Sequence, residues 1–322
     1  MFKKPNCPVI AVEEHYWDKE MSATYVGLEA SRPGPQSERL FDLGALRLKE
    51  MDACGIDMQV ISHGAPSAQK LPQNGAAELV RGVNDRLAAA CAANPKRFAA
   101  FAALPTSDPK AAADELERCV TKHGFKGAML HGLANGVFMD GKQFWPIYER
   151  AEQLDVTIYF HPGLPHVDVM KAYYDDYAKE FPMVVRAAWG YTVETATTAI
   201  RMVLSGVFEK HPKLKIVLGH LGETLPFLVW RVDHAIARPG AAKTISFRDI
   251  FCHNFWITTS GNFSNPALMC CVQEMGVDRI LFAVDWPFVP NPPGVEWMGT
   301  VPLCDEDKAK ILSGNAKKLL RI

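Results

Sequence analysis

Short apolar runs of strand length alternate with longer stretches whose apolar residues recur every three or four positions, from one end of the chain to the other. The runs lie near 8–13, 57–62, 98–103, 127–131, 155–160, 214–219, 254–259 and 279–284. The periodic stretches lie near 43–54, 75–93, 108–123, 142–153, 192–210, 224–238, 264–275 and 305–320. A continuous apolar run reads as a strand buried on both faces, and the periodic pattern as a helix packed against it. Eight such alternations predict an α/β chain with a closed parallel (β/α)8 TIM barrel rather than an open sheet. The last helix opens at Asp305 or Asp307 and closes the barrel.

Three connections are too long for simple barrel loops: 15–42 after the first strand, 162–190 after the fifth and 286–304 after the eighth. Long connections in compact domains are usually functional. These three are expected at the carboxyl-end face, as walls of a substrate pocket. No internal repeat or low-complexity linker interrupts the chain, so a single domain over 1–322 is expected.

At 322 residues the chain is of ordinary length for one such barrel with insertions and buries a large core without disulfides. A formal net charge of −1 gives no electrostatic case for nucleic acid or an anionic membrane. The start, Met1-Phe2-Lys3-Lys4-Pro5, is followed by Glu13, Glu14 and His15 instead of an apolar h-region, so a signal peptide is not expected. No apolar stretch is long enough to span a bilayer. The eight cysteines form no CxxC pair and read as reduced thiols of a cytoplasmic protein.

What changes the picture is where the acidic and histidine residues fall. Glu13 and His15 follow Val9-Ile10-Ala11-Val12, His161 follows a run ending at Phe160, His220 follows Ile216-Val217-Leu218-Gly219, and Asp285 follows Phe282-Ala283-Val284. One such residue at the end of one strand means little, since an exposed carboxylate or a satisfied core histidine is the commoner case. Five at the ends of four buried strands converge on the carboxyl-end face of a barrel, where catalysis is placed. Glu13 and His15 share one face of a strand, because side chains alternate with period two. With His161 and Asp285 they give two nitrogen and two oxygen donors, a set that suits one divalent ion of the Zn, Mn, Fe or Co kind. Glu223, three residues after His220, is placed to hydrogen-bond its ring, or to serve as a first-turn acid of a helix.

Further residues are candidates for the pocket. His63 and His131 end the second and fourth strands and either face the substrate or are satisfied structurally. Arg47 either sits near the mouth or is an exposed helical arginine. Trp189 and Tyr191 are expected to line the cavity, and Trp286-Pro287-Phe288 to floor it.

The motifs Glu13-Glu14-His15, Arg47-Leu48-Lys49-Glu50-Met51-Asp52, Leu218-Gly219-His220-Leu221-Gly222-Glu223, Thr258-Thr259-Ser260-Gly261-Asn262-Phe263 and Asp285-Trp286-Pro287-Phe288 resemble the amidohydrolase superfamily, in its decarboxylase branch. The closest overall likeness is to the γ-resorcylate decarboxylase group, over nearly the whole chain. The resemblance implies non-oxidative decarboxylation of a hydroxylated aromatic carboxylic acid. It implies Glu13, His15, His161 and Asp285 as ligands of one divalent ion per subunit (zinc or manganese), with Asp285 also protonating the ring carbon. It further implies His220 as the second catalytic residue supported by Glu223, Arg231 near a pocket at a subunit interface, and a homodimer or homotetramer. The partner is then a small aromatic carboxylate. A mononuclear hydrolase or hydratase acting on a lactone or ring-cleavage product is the alternative. A binuclear hydrolase is disfavoured, since the fourth strand ends in His131 with no lysine to bridge two metals. The segments 18–25 and 162–190 depart from the γ-resorcylate pattern, which leaves the ring substituents open.

Overall fold

The structure, a computed structural model, describes residues 6–30, 32–238, 240 and 245–322. Residues 1–5, on which the signal-peptide reading partly rests, lie outside the described residues. Eight strands form: β1 (Ile10–Tyr16), β2 (Met58–His63), β3 (Phe98–Ala100), β4 (Gly127–His131), β5 (Thr157–His161), β6 (Lys215–Leu218), β7 (Phe255–Thr258) and β8 (Ile280–Leu281). All pair in parallel and in chain order, β1 to β3 in one run and β4 to β8 in another. Backbone bonds join the two runs at both edges. Ala102 N–H donates to Gly127 O at 2.9 Å, while Val12 N–H donates to Phe282 O at 3.1 Å and Asp285 N–H to Glu13 O at 3.0 Å. The ring is therefore closed.

Inside the ring Ile10, Val12, Val60, Phe101, Met129, Tyr159, Val217, Leu281 and Ala283 pack together, and Ala316, Leu319 and Leu320 of the last helix join them as a plug. The opposite strand faces (Ala11, Ile61, Ile158, Phe160, Ile216 and Leu218 among them) pack on the surrounding helices. Both faces are apolar, which explains the unbroken runs.

The predicted helices form, with three differences. The stretch 192–210 divides into Gly190–Leu204 and Val207–Lys210 at Gly206, whose φ is 87°. The last helix passes through a π turn at Lys310–Gly314. An additional helix, Phe247–Asn254, lies between β6 and β7, its start capped by Ser246 Oγ accepting from Asp249 N–H. The long connections hold short helices of their own, among them Gly34–Phe41, Val167–Tyr173 and Asn291–Thr300.

β8 is shorter than predicted because its backbone leaves the β7 ladder after Leu281. Ala283 N–H donates to Thr259 Oγ1 at 3.0 Å, and Val284 and Trp286 N–H donate to the Glu14 carboxylate at 2.9 and 3.0 Å. In β1 the register against β2 shifts between Ala11 and Glu14. With Ile10 and Val12 inside, strict alternation would also turn Glu14 inward. The bulge instead lets Val12 and Glu13 both face the interior and sends Glu14 outward to hold β8. Bulges re-aim side chains in this way beside active sites.

Arg47 is expected at the mouth or exposed on a helix, and the structure corrects both. It is fully buried behind β1, with its guanidinium 4.1 Å from the Trp286 ring centroid. It donates to His15 O at 2.5 Å, Gln59 Oε1 at 3.0 Å and Asp42 O at 3.0 Å. Burial pulls its pKa down to about 9, with Glu14 opposing. Burial likewise pushes the Glu14 carboxyl well above its usual range, against its two backbone donors. Arg47 thus ties β1, β2 and the end of β8 together from behind. Arg47→Met, which strips a buried ionic network of its cation, is expected to destabilise the fold by about 3–5 kcal/mol. Urea unfolding reads this directly, and a loss well under about 1 kcal/mol would refute it.

Candidate active site

Glu13 is aimed into the mouth by the bulge and held there by one oxygen. Its Oε2 accepts from Tyr159 Oη, Ser260 Oγ and, at 3.0 Å, Thr258 Oγ1. A Cβ on residue 219 would lie 2.8 Å from that oxygen, so the neighbouring position must be glycine. The other oxygen, Oε1, is buried with no hydrogen-bond partner. His15 Nε2 and Asp285 Oδ1 are orphaned in the same way. These atoms converge with His161: His161 Nε2 lies 3.4 Å from Glu13 Oε1 and 3.9 Å from Asp285 Oδ1, and His15 Nε2 lies 3.2 Å from Asp285 Oδ1. One ligand-type atom from each of Glu13, His15, His161 and Asp285 falls within 4.8 Å of all the others. Unpaired buried polar atoms are costly, so a constellation of them around one point fits a cation and its open position. The donors, two nitrogens and two oxygens, suit a borderline divalent ion.

The rings are oriented from behind. Ser62 Oγ lies 3.2 Å from His15 Nδ1. His161 Nδ1 lies 2.8 Å from Pro162 O and 3.0 Å from His131 Nδ1, while His131 Nε2 lies 2.8 Å from His63 O. A carbonyl only accepts, so His131 carries its proton on Nε2 and accepts at Nδ1 from the His161 Nδ1–H. That leaves His161 Nε2 as a lone pair aimed at the cluster. His63 is closed off too: its Nδ1 lies 2.9 Å from Gly64 O, and its Nε2 accepts from Asp18 N–H at 2.9 Å. Burial lowers the His63 pKa to about 4. Of the two alternatives for His63 and His131, the satisfied one describes the rings as they stand, since both nitrogens of each are engaged within the protein, while His131 also lines the cavity beside the cluster.

His220 sits across the mouth, its Nε2 3.6 Å from Glu13 Oε1 and 3.9 Å from Asp285 Oδ2. Its Nδ1 meets Glu223 Oε1 at 2.7 Å. The turn from His220 to Thr224 runs through positive φ at every residue (50°, 56°, 75°, 54° and 66°), and Asp285 has φ 75°. This is a left-handed turn where the sequence allows a helix start. Strained backbone of this kind persists where the surroundings over-determine it, typically at functional sites. Burial works against a charged His220, but Glu223 and Glu13 outweigh it and lift its pKa well above the usual imidazole value. Burial would raise Asp285, but the surrounding imidazoles of His15, His161 and His220 hold its carboxyl well below the usual range.

Tyr191 is half-buried at the start of the helix Gly190–Leu204, and desolvation raises its pKa. Phe288 lies against His15, ring centroids 5.4 Å apart. Trp189 is half exposed at the start of the helix Gly190–Leu204. Arg231 is exposed on the helix Leu225–Ile236 and reaches none of the cluster within this chain. A cavity of about 350 Å³ adjoins the cluster past His131, between Glu29, Lys70 and His166. The larger cleft, about 550 Å³, opens on the far side of Trp286 among Pro33, Arg39, Glu50 and Cys54, and none of the four clustered residues lines it. Tyr159, Thr258, Ser260, Glu14 and Ser62 escape sequence reasoning as functional residues. Tyr159 stands two positions before His161 on one strand face, which is the signal that points to it.

Residues 10–322 match the family described as amidohydrolase. The chain is 39% identical to a γ-resorcylate decarboxylase of Rhizobium sp., over 97% of this chain and 98% of that protein. A dihydroxybenzoic acid decarboxylase of Polaromonas sp., solved with bound manganese and 2-nitroresorcinol, superposes with a TM-score of 0.89 at 38% identity, covering 98% of this chain and 97% of that one. A 5-carboxyvanillate decarboxylase of Sphingomonas paucimobilis gives 0.90 at 35% identity, covering 98% and 100%.

Proposed function

The chain belongs to the amidohydrolase family, and from that premise we propose how its mouth performs the metal-dependent, non-oxidative decarboxylation of a hydroxylated aromatic carboxylic acid. The protein is a carboxy-lyase that uses one divalent ion. The observation that carries the mechanism is the cluster of orphaned Glu13, His15 and Asp285 atoms facing the His161 lone pair, with His220 opposite. We assign Glu13, His15, His161 and Asp285 as ligands. Manganese is the favoured ion, because a related structure holds it, and zinc is the second choice. The bound ion supplies Lewis acidity at the mouth.

Carboxylate neighbours favour a charged His220, while the surrounding imidazoles favour an ionised Asp285. A substrate carboxylate entering the mouth raises the Asp285 pKa and excludes water, and His220 Nε2 then passes its proton to Asp285 Oδ2, 3.9 Å away. Asp285 delivers it to the ring carbon that bears the carboxylate. A C–H bond forms, the C–C bond breaks, its electron pair restores the aromatic ring, and carbon dioxide leaves. His220 is reprotonated from solvent. Glu223 is a positioning residue that fixes the His220 tautomer and raises its basicity.

Activity needs protonated His220, so it is lost as pH rises through the His220 pKa. Glu223→Gln removes the carboxylate that raises this pKa, and the basic limb of the kcat/KM profile is expected to move down by about one unit or more. An unmoved limb would count against His220 as the proton carrier. Behind the metal, His131→Leu takes the side-chain acceptor from His161 Nδ1–H, leaving only Pro162 O, and is expected to weaken metal binding up to about 10-fold, with His131→Asn restoring much of it. A competitive chelator titration measures both.

The reaction itself is tested with metal-replete protein and a panel of hydroxybenzoates, following carbon dioxide and the product by mass spectrometry. Release from none of them, with one ion bound per chain, would overturn the reading. The lactone hydrolase alternative is not favoured by any feature of the mouth. The same reading takes 1–322 as one domain and places the protein in the cytoplasm, supported by eight free thiols. No helix among the described residues is long and apolar enough to cross a membrane. A homodimer or homotetramer is supported by the exposed Phe227 and Trp230 beside Arg231, which in such an assembly faces a neighbouring copy.

A further inference from the structure

The cleft behind Trp286 is separate from the mouth and carries a polar group that the protein leaves unpaired. It measures about 550 Å³, within the range of small-molecule sites. Pro33, Pro35, Pro287, Pro290 and Pro292 give it apolar walls of fixed rings. The charged groups on its wall are already engaged. Arg39 Nε donates to Glu50 Oε1 at 2.9 Å and Arg39 Nη1 to Pro35 O at 3.1 Å, while Trp286 Nε1 donates to Glu50 Oε2 at 2.8 Å. Glu50 thus accepts at both oxygens. Asn291 differs. It lines the cleft and is buried, and neither its Nδ2 nor its Oδ1 meets a hydrogen-bond partner among the described residues. It opens the helix Asn291–Thr300, where an asparagine side chain commonly accepts from N–H groups of the first turn. Here the next two residues, Pro292 and Pro293, have no N–H to offer.

A buried donor and a buried acceptor left unmade are costly. In Asn291 they sit side by side in one plane. Their full complement is a group that presents C=O and N–H in the same way. A primary carboxamide does so, forming two hydrogen bonds edge to edge with the asparagine. A carboxylate only accepts, so it would leave Oδ1 unpaired in a cleft that already holds the Glu50 carboxylate. With the charged groups engaged and the walls apolar, the rest of the ligand is neutral, and a flat ring suits walls made of proline rings and the Trp286 side chain. We propose that this cleft is a second ligand site, which takes a neutral planar aromatic molecule bearing a primary carboxamide and pairs that amide with Asn291. None of the four clustered residues lines it, so the site stands apart from the chemistry of the mouth.

Benzamide, N,N-dimethylbenzamide and benzoate test the proposal, titrated against the metal-loaded protein by ligand-observed NMR. Benzamide is expected to bind with a Kd of about 1 mM, as a ligand of so few atoms implies. N,N-dimethylbenzamide keeps the ring and the carbonyl but has no N–H, and it is expected to bind at least about tenfold more weakly. Asn291→Leu removes both partners at similar size and should bring the ratio of the two affinities close to one. Ala53→Trp, at an exposed helical position on the cleft wall, fills the space and should abolish benzamide binding. It reads the site by itself if the Asn291 variant does not fold. Benzoate is included because the mouth also takes acids, and its binding should be unchanged in both variants. No binding of benzamide, no preference over the dimethyl amide, or benzamide binding that survives Ala53→Trp overturns the assignment. Benzoate binding that is lost in both variants also overturns it, since the site would then take acids and not amides.

Discussion

Asp285→Asn is expected to abolish turnover while the barrel stays folded. The substitution removes the acid proposed to protonate the ring carbon, and positioned general acids contribute about 10²–10⁴-fold to rate. A carboxamide cannot take the proton from His220 Nε2, however well it fills the space. The backbone around residue 285 is fixed independently of its side chain, by Asp285 N–H donating to Glu13 O at 3.0 Å and by Glu14 holding its neighbours. Far-ultraviolet circular dichroism should therefore be unchanged. Since the amide oxygen still faces the ion, the assay is run at saturating manganese with bound metal measured on the same sample. Substantial carbon dioxide release from a metal-loaded Asp285→Asn protein would mean that the proton comes from elsewhere.

His220→Asn is expected to give a loss of the same order, about 10²–10⁴-fold, for a different reason: on the proposed mechanism the proton is no longer held at the mouth. The two residues serve one proton, so their effects should not add. Residues acting as a unit show gross non-additivity, and the double variant is expected to fall little below the worse of the two single ones. Rates from all three variants, set out as a cycle, decide the point. Losses that multiply would indicate independent roles, with His220 holding the substrate carboxylate and passing nothing to Asp285.

The order of strands and helices was legible because both faces of each strand are buried, which makes the runs continuous and easy to see. The cluster of Glu13, His15, His161 and Asp285 was legible for a related reason. A charged or imidazole side chain at the end of an apolar run has few places to go other than the mouth. The orienting residues were harder. Arg47 reads as an ordinary helical arginine, and only tertiary packing shows its guanidinium stacked on Trp286. His63 and His131 sit at strand ends like the four clustered residues, yet their ring nitrogens are engaged by hydrogen bonds within the protein. Strand position shows which face a ring occupies, not which of its nitrogens remains free. The bulge in β1 was also invisible, because the pattern Glu13-x-His15 gives the same answer with or without it.

The seam between β1 and β8 has a consequence for the order in which this protein becomes itself. Glu13 and Asp285 come from opposite ends of the chain, and the backbone bonds between those ends close the ring. Contacts so distant in sequence carry the largest loop-closure cost and form late. During synthesis every histidine of the cluster is made before the second carboxylate is. A nascent chain thus has no complete seat for a metal until its last strand docks, and metal capture comes as a seal on a finished barrel, not as a nucleus for building one.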